Sequence, residues 1–209
     1  MIITYEMIWE ALDQYQAPAN KLIRMVNQGK IVKLTKGLYE TDKTTPRYLV
    51  AGAIYGPSYL SFDFALSYYQ LIPETVYTYT SATFKKKKKK QYTNDLGTFT
   101  YQDIPELVYP YEIQLLKEGD RYYYMATPEK ALCDKLYSLK PVRSQKEMYK
   151  LLFEDLRIDV DEFEKLDINK INQLSDLYHC TNLKLLKKVK GNMHGNNYST
   201  NDRNLSTSK

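Results

Sequence analysis

The chain has 209 residues, a formal net charge of +5 and 43% hydrophobic residues, with 21 tyrosines among them. That length holds one large domain or two small ones. No stretch approaches the roughly 20 apolar residues of a membrane span, and the N-terminus lacks a signal-peptide pattern, so a cytoplasmic chain is expected.

The two cysteines, Cys133 and Cys180, form no CxxC and read as free thiols rather than a disulfide framework. With only His179 and His194 beside them, no metal-ligand spacing arises. Phosphate-loop, dinucleotide and nucleophile-elbow motifs are absent, so neither a cofactor nor a metal is expected.

In chain order, Thr4 is a candidate N-cap for a first helix with an apolar stripe of Met7, Ile8, Ala11 and Leu12. Pro18 fits the first position of a second helix over residues 18–28, and Gly29 fits its C′ position. Leu22, Ile23 and Val26 are expected on its inner face; Asn20, Arg24, Asn27 and Gln28 on its outer face, with Lys21 at the edge. Residues 30–34 and 38–40 flank Thr35-Lys36-Gly37 as a short β-hairpin. Residues 1–45 thus read as a small winged helix-turn-helix-like head, and the polar residues 41–47 as a linker.

Residues 48–190 read as a larger α+β domain with a mostly antiparallel sheet and C-terminal helices. Strands are expected at residues 76–84, 98–104, 112–116 and 121–125, with turns at Asn94-Asp95-Leu96-Gly97 and Glu118-Gly119-Asp120. Helices are expected over residues 49–55 and 62–71. Thr127-Pro128-Glu129 is a strong helix start, and Ser144, Asp159, Asp167 and Thr181 are candidate caps for later helices. Residues 191–209, rich in Asn, Ser, Thr and Gly, read as an unstructured tail.

Charge is segregated. Residues 18–38 carry five Lys or Arg and no acid, and residues 85–90 are all lysine. Such patches suit a polyanionic partner, although a solvated surface gives the same pattern. A helix that reads the major groove needs one apolar face and one face of hydrogen-bonding and basic groups. Asn20, Lys21, Arg24 and Gln28 meet that need, while Lys30, Lys33 and Lys36 would bring charge to phosphates. An ordinary amphipathic surface helix beside a hairpin has the same spacing.

A second basic surface could involve Lys85, Lys86, Lys87, Lys88, Lys89 and Lys90 with Lys184, Lys187 and Lys188, and Lys190 nearby. In an alternating strand the lysine run would be exposed on both faces; otherwise it must leave the sheet as a loop. It reads equally as a phosphate contact and as a solvated arm. Glu129, Lys130 and Asp134 read as dipole-complementing and surface residues of one helix.

Residues 21–39, KLIRMVNQGKIVKLTKGLY, resemble the head of the AbiEi family, antitoxins of type IV toxin–antitoxin systems linked to abortive phage infection. Two further blocks resemble that family's second domain: GPSYLSFDFALSYY at residues 56–69, followed by Leu71-Ile72-Pro73, and ATPEKALCD at residues 126–134. The resemblance implies a non-enzymatic cytoplasmic regulator that binds double-stranded DNA at its own promoter. It also implies a functional partner, a nucleotidyltransferase-like toxin, counteracted with or without direct contact. Many members place three helices ahead of the hairpin, whereas two fit here. Two rivals stay open: a nucleic-acid-processing enzyme built on Asp95, Glu112, Glu129 and Asp134, and a purely protein-binding antitoxin.

Overall fold

A strand that no alternating pattern announces begins the chain. β1 (Ile2–Thr4) pairs antiparallel with β3 (Leu38–Glu40), and β3 with β2 (Val32–Thr35), in a small sheet of order β1-β3-β2. The structure is a computed structural model that describes the backbone of residues 1–205 and the side chains of residues 1–193.

Between β1 and β2 lie α1 (Tyr5–Ala11) and α2 (Pro18–Asn27). Thr4 caps α1, its hydroxyl accepting from Met7 N at 3.4 Å. Only Ile8 and Leu12 of the expected stripe are buried; Met7 and Ala11 are exposed, because so short a helix meets the sheet along a single line. Pro18 starts α2, and Gly29, at φ +64°, ends it. Gly29 N donates to Val26 O and Lys30 N to Met25 O, both at 2.8 Å, a Schellman closure that a Cβ would strain. Leu22 is buried on the inner face of α2 with Met25 and Val26 packed beside it, whereas Ile23 is 56% exposed. Ile23 lies about 100° round the helix from Leu22, so its apolar character did not fix its side.

The small sheet is covered on both faces. Tyr39 and Ile31 pack with Leu22, Ile8 and Leu12 on the helix side. Val32 and Leu34 point the other way and join the main core. At roughly 1.5–3 kcal/mol per buried aliphatic side chain, those two tie the first unit firmly to the second. Asn94 Nδ2 donates to Leu34 O at 2.9 Å, and Arg121 Nη1 to Glu40 Oε2 at 2.8 Å. Residues 41–47, expected as a linker, therefore join two parts that share a core.

Beyond a 3-10 turn at Arg47–Leu49 come α3 (Ala51–Ile54), β4 (Tyr59–Leu60), α4 (Phe62–Tyr68), β5 (Thr78–Thr83), β6 (Lys90–Asn94), β7 (Gly97–Asp103), β8 (Ile113–Glu118) and β9 (Arg121–Ala126). Their sheet has the order β6-β7-β5-β4-β9-β8. The sheet, expected to be mostly antiparallel, is so in three of its five pairings, but β5 runs parallel to β7 and β4 parallel to β9. One cause is β4, a two-residue strand too short for any pattern to reveal, inserted between β5 and β9. The other is β7, which enters between β5 and β6 and forces the intervening loop to step across its end.

Helices α5 (Pro128–Ser138), α6 (Gln145–Lys150), α7 (Val160–Lys165), α8 (Ile168–Tyr178) and α9 (Thr181–Leu205) follow, with a π-helical turn at Leu151–Asp155. The side chains of Thr127, Ser144, Asp159 and Asp167 accept from the backbone of their helices as expected. At α9 Thr181, expected as the cap, is itself the first helical residue. The backbone of α9 is helical to Leu205, past the expected boundary at residue 191, and residues 206–209 lie outside the described ones. Among the described residues no helix is long and apolar enough to cross a membrane.

Candidate nucleic-acid interface

The outer face of α2 follows from its inner one. Once Leu22, Met25 and Val26 are turned to the sheet, Asn20, Arg24 and Asn27 lie on the opposite side, and all three are exposed together with Gln28. Arg24 Nε donates to Asn20 O at 3.4 Å, laying the guanidinium back along the helix. Lys21 is half-buried, its ammonium 4.5 Å from the centre of the Tyr15 ring.

Lys33 comes from β2 to the same neighbourhood. It lies opposite Tyr39 on the helix side of the small sheet and borders a shallow dimple with Ile23 and Asn27. Lys30 is exposed just past the end of α2, and Lys36 is exposed in the two-residue turn closed by Gly37 at φ +77°. That turn does not project as a free tip, since Gly37 O accepts from Tyr5 N at 2.9 Å. Lys43, which the linker reading passed over, rests its ammonium against Gly29 and adds a cation at the negative end of α2. No ion pair engages Lys21, Arg24, Lys30, Lys33, Lys36 or Lys43 among the described residues.

The lysine run leaves the sheet as a loop and does not prolong β5. Lys85 and Lys87 have φ of +56° and +62°, and Lys90 opens β6. Asp103, the last residue of β7, organises the crossing: it accepts from Thr83 Oγ1 at 2.6 Å, Lys86 N at 2.7 Å and Lys87 N at 2.6 Å. Lys86 Nζ donates to Gly56 O at 2.9 Å, and Lys85 pairs with Glu106 at 2.6 Å. Lys89 and Lys90 border a cleft of about 450 Å³ with Lys135, and Lys89 also faces Cys180 and Thr181 at the start of α9. The run meets the front of α9 there, but it lies at the opposite end of β6 from Asn94, which touches the first unit, a strand length of roughly 13 Å away.

On α9 the lysines separate by role. Lys184 and Lys188 are exposed, and Lys187 pairs with Asp176 at 3.2 Å. Lys190 is buried, donating to Phe163 O at 2.7 Å and Glu164 O at 2.8 Å at the end of α7. It is no surface residue, and burial lowers its ammonium pKa.

The acids are for the most part engaged within the protein. Glu129, Lys130 and Asp134, read as surface groups, are buried because α5 is enclosed on nearly every side. Tyr59 and Ser61 donate to Asp134 Oδ2 at 3.0 and 2.6 Å, Tyr178 donates to Asp134 Oδ1, and Lys130 Nζ bonds Val108 O at 2.9 Å and Tyr178 Oη at 3.0 Å. Desolvation lowers the Lys130 pKa and raises those of Tyr59, Tyr178 and Cys133. Every polar atom of this cluster is engaged within the protein, so its evident work is to fix α5 against β4 and α8. Glu129 accepts from Asp167 N at 3.0 Å, Glu112 pairs with Lys170 at 2.7 Å, and Asp95 is exposed in the β6–β7 turn. No group of three or more His, Cys, Asp or Glu among the described residues is placed to hold a metal ion. His194 lies outside the described side chains.

Fold and site together define an α+β chain with an uncompensated cationic helix face. Neither a protein-family model nor a curated protein matches it.

Proposed function

We propose that this chain is a DNA-binding transcriptional regulator and antitoxin of the AbiEi kind, cytoplasmic and non-enzymatic. In this reading residues 1–45 are a winged-helix-like unit that represses the chain's own operon, and a nucleotidyltransferase-like toxin is the functional partner. The observation that carries it is the outer face of α2, where Asn20, Arg24 and Gln28 are exposed beside Lys21, Lys30 and Lys33, none of them held by an acid among the described residues. Groups so placed offer hydrogen bonds to base edges and charge to phosphates. The engagement of Glu112, Glu129 and Asp134 by partners within the protein, with Asp95 apart in the β6–β7 turn, weighs against the rival reading as a nucleic-acid-processing enzyme.

The purely protein-binding antitoxin draws on one observation, the exposure of Tyr5, Met7 and Trp9 on α1. A mobility-shift titration with the DNA upstream of the chain's own gene separates the two. The regulator should shift that fragment, with a salt slope of up to about −4.5 if five cations each neutralise a phosphate. Lys21→Ala with Arg24→Ala should weaken binding at least about tenfold. Unchanged binding in that double variant would remove α2 as the reading element.

A further inference from the structure

A groove of about 770 Å³ runs between the segment of residues 48–53 and the β8–β9 hairpin, away from α2. Six tyrosines line it: Tyr48, Tyr59, Tyr109, Tyr122, Tyr123 and Tyr124. Among the described residues no charged side chain does so. Tyr123 faces the core, but Tyr122 and Tyr124 alternate with it and stand 58% and 56% exposed. Leu115, opposite Tyr124 in the register, is 55% exposed. The groove therefore offers flat aromatic faces with no charged group on its lining, and Glu118 stands by Tyr48 and Tyr123 at its hairpin end.

The lysine loop sits at one end of this groove. Lys86 holds the carbonyl of Gly56, next to the lining residue Pro57, and the Phe84 ring lies 4.4 Å from that of Tyr109. Lys87 and Lys88 are exposed, and no ion pair takes their charge among the described residues. Asp103 fixes the backbone of the loop that carries them, and Lys86 anchors that loop beside the groove's end.

We propose that this groove binds single-stranded nucleic acid, with bases stacked on Tyr122 and Tyr124 and the sugar–phosphate backbone led past Lys87 and Lys88. Aromatic faces beside a basic track are the two components such binding needs: stacking accepts any base, and the cations hold the phosphates. A duplex keeps its bases stacked on each other and has none to give to tyrosine. This site is independent of the α2 face and needs no part of it.

The test is fluorescence anisotropy of the full chain with labelled single-stranded oligonucleotides of about 12 residues, within the span one binding surface covers. Both DNA and RNA forms are titrated at low and moderate salt. Tyr122→Ala with Tyr124→Ala should weaken binding by about 10- to 100-fold, as expected for losing one or two stacked bases. Because both rings are exposed, thermal melting should show the variant folded. Lys87→Ala with Lys88→Ala should reduce the salt slope by about 1.4. Lys21→Ala with Arg24→Ala should leave single-strand binding unchanged, which separates this site from the duplex reading. No binding at low salt would overturn the proposal, as would binding indifferent to the two tyrosines or lost with the α2 variant. Self-association abolished by the tyrosine variant, with no oligonucleotide bound, would assign the groove to a second copy instead.

Discussion

Glu40 joins the two parts of the molecule, and its charge should be measurable as stability. Its side chain is wholly buried, accepts from Arg121 and the N–H of Asp42, and pairs with the terminal ammonium of Met1. Burial by itself would raise its carboxyl pKa; Arg121, the ammonium and the Asp42 amide outweigh burial and bring it from 4.5 down to about 2. That fall corresponds to about 3.4 kcal/mol, and water around Arg121 reduces this to roughly 2–3 kcal/mol. A folded-state pKa below the unfolded one means the contribution is complete above the unfolded value, about 4.5, and disappears as pH falls toward about 2. Glu40→Gln should therefore cost roughly 2–3 kcal/mol in urea unfolding at about pH 7. The gap between wild type and variant should close between about pH 4.5 and 2, since protonation removes from the wild type what the substitution removed. Curves that stay parallel over that window would refute the assignment of this stability to the Glu40 charge.

Asp103→Ala should destabilise the chain by about 2–3 kcal/mol, because two loop amides and a hydroxyl lose a charged acceptor. It should also speed tryptic cleavage within residues 85–90, read by mass spectrometry of early fragments. Lys130→Met should cost about 3–5 kcal/mol in chemical denaturation, as it leaves the buried Asp134 carboxylate without the ammonium that lies 3.6 Å from it. Gly29→Ala should cost at least about 1 kcal/mol, since position 29 is left-handed and a methyl there would displace Lys43; the melting temperature reports it.

Signals read from single residues with fixed geometric meaning carried over well into the structure. Pro18 and Gly29 bound α2, Lys36-Gly37 makes the tight turn, and Pro128 follows a capping Thr127, because each depends on local backbone geometry alone. What the pattern missed depends on partners distant in sequence. β1 and β4 are short strands that exist only because β3, β5 and β9 complete them. Glu129, Lys130 and Asp134 look like an exposed charged face until the Asp167 amide, Tyr59, Ser61 and Tyr178 arrive from two other segments to satisfy them. Lys190 likewise has the composition of a surface lysine and the position of a cap. For the site, the outer face of α2 was legible through Asn20 and Arg24, whereas Ile23 was put on the wrong side by apolar character alone. The tyrosine groove was not legible, since strand alternation at 122–124 cannot say which face lacks a cover.

The packing of Val32 and Leu34 into the main core bears on how any DNA site would be measured out. A reading helix on a tether can adjust to operators of different spacing. Here α2 is carried on a sheet whose reverse side is part of the body's interior, so it has no tether to extend. Should two chains bind a palindrome, the separation of their α2 helices would be set by the surface where the bodies meet. Half-sites would then have to fall near one helical turn, about 34 Å, or whichever multiple that surface dictates. Inserting a few base pairs between them should be tolerated poorly, a rigidity traceable to two aliphatic side chains on one short strand.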